Sequence, residues 1–148
     1  MGILEELLKD VPIPKVAKVR QVFDSEKLED PEGELRLQLG LDKFKGKIEP
    51  GAKVAIAVGS RGINKIAELT AVTVSFLKEQ GAEPFIVPAM GSHGGATAEG
   101  QKEVLAHLGI TEESAGCRIL SSMDVVQVGE LPNGLPVYVD KFAYEADG

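Results

Sequence analysis

Apolar residues are spaced most regularly between Lys53 and Gly95. Residues 54–58 form an almost unbroken apolar run, as expected of a strand covered on both faces. Ile66, Leu69, Val72, Thr73, Phe76 and Leu77 then recur at helical spacing, with Asn64 predicted as the N-cap. Lys78 and Gly81 suit the far end of that helix, a cation in the last turn and a glycine beyond it. Residues 85–87 give the next strand. Strand, helix and strand in this order predict a βαβ crossover, so the C-terminal ends of both strands meet on one side of a sheet.

Upstream the pattern is weaker. Ile3, Leu4, Leu7 and Leu8 predict a helix over residues 2–9, ended by Pro12 and Pro14. Residues 15–23 place Val16, Val19 and Val22 among Lys18, Arg20 and Gln21, and are expected to form a strand with imperfect alternation. The acidic stretch 24–33 predicts an exposed loop. Residues 34–38 alternate through Leu35 and Leu37 and predict a strand or an extended arm. Residues 41–48 fit neither period, and Pro50-Gly51 marks a turn.

Downstream, Thr97 predicts a cap for a helix over 98–108, with Val104, Leu105 and Leu108 inward and Gly109 as its end. Gly100 in its first turn costs about 1 kcal/mol against alanine. Residues 111–115 predict a short helical turn and 118–120 a third strand. Residues 125–130 and 135–139 flank Pro132-Asn133-Gly134, a β-hairpin signal. Residues 141–148 show no strong pattern, and the natural protein is expected to continue beyond Gly148. The expected fold is α/β: a Rossmann-like small parallel sheet with flanking helices and a C-terminal β-hairpin, in one domain over 1–148.

Composition narrows the function classes. The 148 residues suffice for one core, and 43% hydrophobic with 26% charged residues is ordinary for a globular domain. A net charge of −7 argues against nucleic acid and gives no attraction to an anionic membrane. Lys43, Lys45 and Lys47 stand between Asp42 and Glu49 and read as a solvated edge. One cysteine, Cys117, excludes an internal disulfide and points to a cytoplasmic setting. The N-terminus is short and acidic, unlike a signal peptide, and no window approaches the roughly 20 apolar residues of a membrane span.

The candidate chemistry lies in two glycine-rich loops that follow the strands. Ligands of open α/β sheets bind outside the C-terminal strand ends. The first loop, Gly59-Ser60-Arg61-Gly62, sets a guanidinium beside open backbone and the start of a helix. That combination suits a carboxylate or phosphate; equally, Arg61 could cap a strand or pair with a surface acid. The second loop, Gly91-Ser92-His93-Gly94-Gly95, sets an imidazole among glycines, either as a proton carrier or satisfied by a carbonyl in a tight turn. His107 reads as a packing or solvent residue, and 121–124 as a turn able to lend the crevice a polar group. The usual dinucleotide and P-loop motifs are missing, as are zinc-ligand spacings and a nucleophile elbow.

At these loops the chain resembles the N-terminal domain of the nickel-dependent lactate racemase family, through VAIAVGSRGI and PFIVPAMGSHGGATAEGQ. The resemblance covers the middle and last thirds. It implies racemisation or epimerisation of a 2-hydroxy acid with a nickel-pincer nucleotide held between two domains. The α-hydride would pass to that cofactor and return on either face of a 2-keto acid. By the match, His93 is one of two acid–base groups and Arg61, with Ser60, holds the substrate carboxylate. Gly91, Ser92 and Gly94 would line the cofactor, and no metal ligand falls in this chain. The family carries an acidic residue and a threonine before the arginine, a proline after it, and often an arginine after the histidine. This chain has Gly59, Ser60, Gly62 and Gly94-Gly95 there. The second histidine, the tethering lysine and the nickel-ligating histidine would come from a missing C-terminal domain, so the isolated chain is expected to be catalytically silent, and oligomer formation is possible. Two other readings stay open: a non-catalytic anion- or nucleotide-binding α/β module, and an interaction domain that pairs through a sheet edge or an interdomain face.

Overall fold

The computed structural model describes every residue except Met1, Ile13, Ser25, Lys43 and Lys45. Of the expected lysine edge, Lys43 and Lys45 therefore lie outside the described residues, and Lys47 is exposed. The fold is α/β: a three-stranded parallel sheet flanked by helices, followed by an antiparallel strand pair.

Strand β1 (Lys53–Val58) pairs in parallel with β2 (Glu83–Pro88), in a register that sets Val58 opposite Pro88. Strand β3 (Arg118–Ile119) lies on the other side of β2. Central β2 is buried from Pro84 to Val87, which is why its sequence shows no alternation. Three helices precede or separate these strands: α1 (Ile3–Leu8), α2 (Pro31–Leu39) and α3 (Ile66–Glu79). Two more, α4 (Ala98–His107) and α5 (Glu112–Ala115), lie between β2 and β3. The core joins Val58, Ile86 and Ile119 of the sheet to Val74 of α3, Leu105 of α4, Ile110, Ala115 and Cys117. Ile86 and Leu105 are fully buried, each contributing about 1.5–3 kcal/mol relative to exposure.

The crossover helix ends as its sequence predicts: Gly81 has φ +84°, and Ala82 N–H reaches back to the Leu77 carbonyl at 3.1 Å. Its start differs. Lys65, with φ 57°, occupies the cap position in place of Asn64, no side chain caps the helix, and Lys65 instead forms an ion pair with Glu32 at 3.2 Å.

Two expectations upstream are corrected. Residues 15–23 form no strand; Val16, Val19 and Val22 are 92%, 84% and 84% exposed. A spacing of three fits neither face of a strand, and no ladder among the described residues includes this stretch. Residues 34–38 are neither strand nor extended arm but part of α2, which also takes 31–33, half-buried, from the end of the expected exposed loop. Asp30 caps that helix through the Gly33 N–H at 2.9 Å, Pro31 opens it, and Glu32 and Glu34 complement its positive end.

The C-terminal hairpin forms as its turn signal requires, from β4 (Val125–Glu130) and β5 (Pro136–Asp140) with a bulge between Gln127 and Gly129. Residues 141–148, expected to lack pattern, begin with α6 (Lys141–Tyr144), capped by Asp140. Asp147 and Gly148 then bond along the outer edge of β1: Asp147 N–H to the Lys53 carbonyl and Ala55 N–H to the Gly148 carbonyl, both at 2.8 Å. Among the described residues no helix is long and apolar enough to cross a membrane.

Candidate functional site

The parallel register delivers the two glycine loops to one sheet edge. Ala89 N–H bonds the Val58 carbonyl at 2.8 Å, holding the strands together up to the point where their loops diverge. There the two loops touch through side chains. Ser60 Oγ lies 2.5 Å from His93 Nδ1, and Arg61 Nη2 lies 2.7 Å from His93 Nε2. Both nitrogens of the imidazole are thus engaged by the first loop. His93 and Ser60 are half-buried, whereas Arg61 is exposed. Arg61 was expected to grip an anion, cap a strand or pair with a surface acid; its guanidinium turns instead to the histidine, and the ring of His93 is met by side chains of the opposite loop rather than by a carbonyl.

The histidine loop is held from beneath by the first turn of α4. Buried Gln101 donates from Nε2 to the Gly91 carbonyl at 2.8 Å. Thr97 Oγ1 donates to the Gly94 carbonyl and accepts from the Gly100 N–H, both at 3.1 Å. Residues 93–96 form a tight turn in which Gly94, Gly95 and Ala96 all adopt positive φ. Gly94 is closed on its side-chain side, where a Cβ would stand 2.3 Å from the carbonyl carbon of Gly100. Gly91, Gly95 and Gly62 instead face open space, so their backbone is approachable. Ser92 is exposed beside them.

Sequence reasoning missed Gln101. It sits on the same helical face as Val104, Leu105 and Leu108, and a lone amide on that stripe was the available signal. At the end of β3, Ser121 Oγ is buried and finds no hydrogen-bond partner among the described residues, while Ser122 makes the expected turn by accepting from Asp124 N–H at 3.2 Å. His107 is exposed on α4. An apolar groove of about 290 Å³ opens beside the first loop, walled by Leu35, Ile56, Ile63, Ile66 and Leu69.

Chemically, the constellation pairs a group able to move a proton with an exposed cation. It differs from an acyl-transfer dyad, in which the second ring nitrogen faces a carboxylate that stabilises imidazolium. Here a guanidinium stands in that place. Among the described residues no three His, Cys, Asp or Glu side chains come together as a metal site. The chain matches no protein-family model, no curated protein and no solved structure.

Proposed function

We propose that this chain is one wall of the active site of a 2-hydroxy acid racemase or epimerase, completed by a second domain. The observation that carries the reading is the contact of His93 with both Ser60 and Arg61 at the shared end of β1 and β2. An arginine and a histidine in reach of one small molecule match the two ends of a 2-hydroxy acid. The guanidinium grips the carboxylate through two parallel hydrogen bonds, and Nε2 takes the proton of the α-hydroxyl. In the free chain Arg61 covers Nε2; a carboxylate drawing the arginine away uncovers that nitrogen.

The nickel-pincer nucleotide belongs to this proposal. Its anionic parts suit exposed Arg61, exposed Ser92 and the open backbone at Gly62 and Gly91. Gly94, turned onto Gly100, would contribute through the shape of the loop rather than an open face. The described residues offer no cluster for nickel, whose protein ligand would come from the second domain. When bound, the cofactor supplies reversible hydride acceptance from the α-carbon. A cytoplasmic location and a small-molecule substrate go with this reading.

The alternative is a non-catalytic anion-binding module, favoured by the exposure of Arg61 beside open glycine backbone. Titrations with D- and L-lactate, D- and L-malate and inorganic phosphate, followed by the resonances of His93 and Arg61, separate the two. A racemase must bind both enantiomers of its substrate, so comparable saturation by each, abolished in Arg61→Met, is expected. Binding of phosphate with no response to either pair of hydroxy acids supports the module instead. With cofactor supplied, the isolated chain should leave both acids unracemised; turnover would show that no second domain is needed.

A further inference from the structure

A 2-hydroxy acid presents its carboxylate, its hydroxyl and a side chain on the α-carbon. The proposed site receives the first at Arg61 and the second at His93, so the side chain needs a place beside the same loops. Two cavities open at the opposite end of the sheet, one by Lys53 and Glu83 at the strand starts and one by Pro50 and Asp147. The apolar groove of about 290 Å³ is placed differently: its upper rim is Gly59 and Ile63, the residues on either side of Ser60-Arg61-Gly62.

The lining selects the chemistry of that side chain. No charged residue lines the groove. Its two hydroxyls are engaged within α3: Thr70 Oγ1 donates to the Ile66 carbonyl at 2.7 Å and Thr73 Oγ1 to the Leu69 carbonyl at 2.9 Å. A second carboxylate would lose its water there and meet no donor. The methyl of lactate, about the size of one water molecule at roughly 30 Å³, would leave most of the groove wet. Gly59 links groove and site. Its φ is not positive, and a Cβ there would face the second loop with the Ala89 carbonyl oxygen 4.0 Å away, so neither a left-handed turn nor crowding calls for glycine. What its bare Cα provides is open space between the two loops and the groove. We propose, on the reading of the site given above, that this groove takes the side chain of the hydroxy acid. The substrate class is then a 2-hydroxy acid with a branched aliphatic side chain, rather than lactate or a dicarboxylate.

The test titrates the chain with both enantiomers of lactate, malate and 2-hydroxy-4-methylpentanoate, following the resonances of His93 and the methyl groups of Ile63. The branched acid should bind about tenfold or more tighter than lactate in both enantiomers, since a single methylene in an apolar pocket is worth roughly tenfold. Malate should bind no better than lactate, and the Ile63 methyls should respond most strongly to the branched acid. Ile63, 57% exposed, can be changed without opening the core. Ile63→Ser, which removes a wall, and Gly59→Val, which narrows the passage, should each lower the ratio of the two affinities several-fold while hydrogen exchange of the β1 and β2 amides stays slow. Lactate binding as tightly as the branched acid, a preference for malate, or a ratio that neither variant lowers would overturn the inference and leave the proposed site standing. No saturation by any of the three acids would overturn the reading of the site, and the inference with it.

Discussion

Gly94 and Gly100 meet backbone to backbone beneath the histidine loop: a Cβ on Gly100 would stand 2.0 Å from the Gly94 carbonyl oxygen. Neither partner is a flexible side-chain end, so the contact cannot relax cheaply. Gly100 is therefore not a poor helix residue tolerated in a first turn but the clearance that lets α4 support the loop. Gly100→Ala should destabilise the chain by about 1–3 kcal/mol in urea unfolding, although alanine favours a helix by about 1 kcal/mol. Unchanged or increased stability would mean that the loop has room to move.

Ala96 carries the opposite mismatch. It has φ 55°, following two glycines in the same left-handed region, and its Cβ makes that conformation costly by about 1–2 kcal/mol. Ala96→Gly relieves the strain but adds freedom to the unfolded chain worth about 0.5–1 kcal/mol. The expected result is a net effect between about zero and a gain of about 1.5 kcal/mol. Thermal unfolding decides it, and a clear loss of stability would contradict the strained geometry.

Gln101 ties α4 to the loop through the Gly91 carbonyl. Gln101→Leu roughly keeps the volume and removes the donor, at an expected cost of about 1 kcal/mol, since Gly91 is exposed and water can replace part of the bond. Gln101→Glu should cost more, because it buries a carboxylate against a carbonyl. Hydrogen exchange should show faster opening of residues 91–95 in both variants than in the sheet. Uniform loss across the fold would remove the specific tie to the loop.

The βαβ unit was legible because burial on both faces leaves continuous apolar runs, and glycines mark where the chain must turn. That logic also put Arg61 and His93 at one sheet edge. It did not reveal that Ser60 reaches Nδ1, because side-chain contact depends on the register Val58 to Pro88, which periodicity alone does not set. Upstream, Leu35 and Leu37 suggested alternation over only five residues, while the stronger cap of Asp30 and Pro31 identified the helix. The valines at 16, 19 and 22 misled because an apolar residue implies a strand only when something covers it.

Cys117 should be a quiet thiol. Burial raises its pKa, partly opposed by the positive charge of Lys78, whose ammonium also bonds the neighbouring Gly116 carbonyl. A raised pKa lowers the thiolate fraction near neutral pH, and the thiolate is the reactive form. A thiol-reactive dye should label the native chain far more slowly than free cysteine and at a rate that follows unfolding as urea is added. Lys78→Met should slow native labelling further. Rapid labelling without denaturant would contradict the buried placement.

Helix α2 buries no residue fully, so its attachment to α3 depends heavily on contacts at its surface. Among them are the ion pairs of Arg36 with Glu79 and of Lys65 with Glu32. Hydrogen bonding from Arg36 holds the Glu79 carboxyl below its ordinary value, against the opposing effect of desolvation and with help from Ser75. A carboxyl depressed in the folded state stabilises fully above its unfolded value, near 4.5, and this contribution disappears as pH falls through the lower folded value. Protection of α2 amides against hydrogen exchange, corrected for intrinsic rates, should therefore hold at neutral pH and decline in that acidic window. Glu79→Gln should show the weaker protection already at neutral pH and lose much of the acid dependence. Both side chains are about half exposed, at 47% and 48%, so added salt should weaken the effect in the wild type and leave the variant little changed. If α2 protection is the same at neutral pH and well below 4.5, the ion pair does not hold the helix, and the Leu35 contact carries it instead.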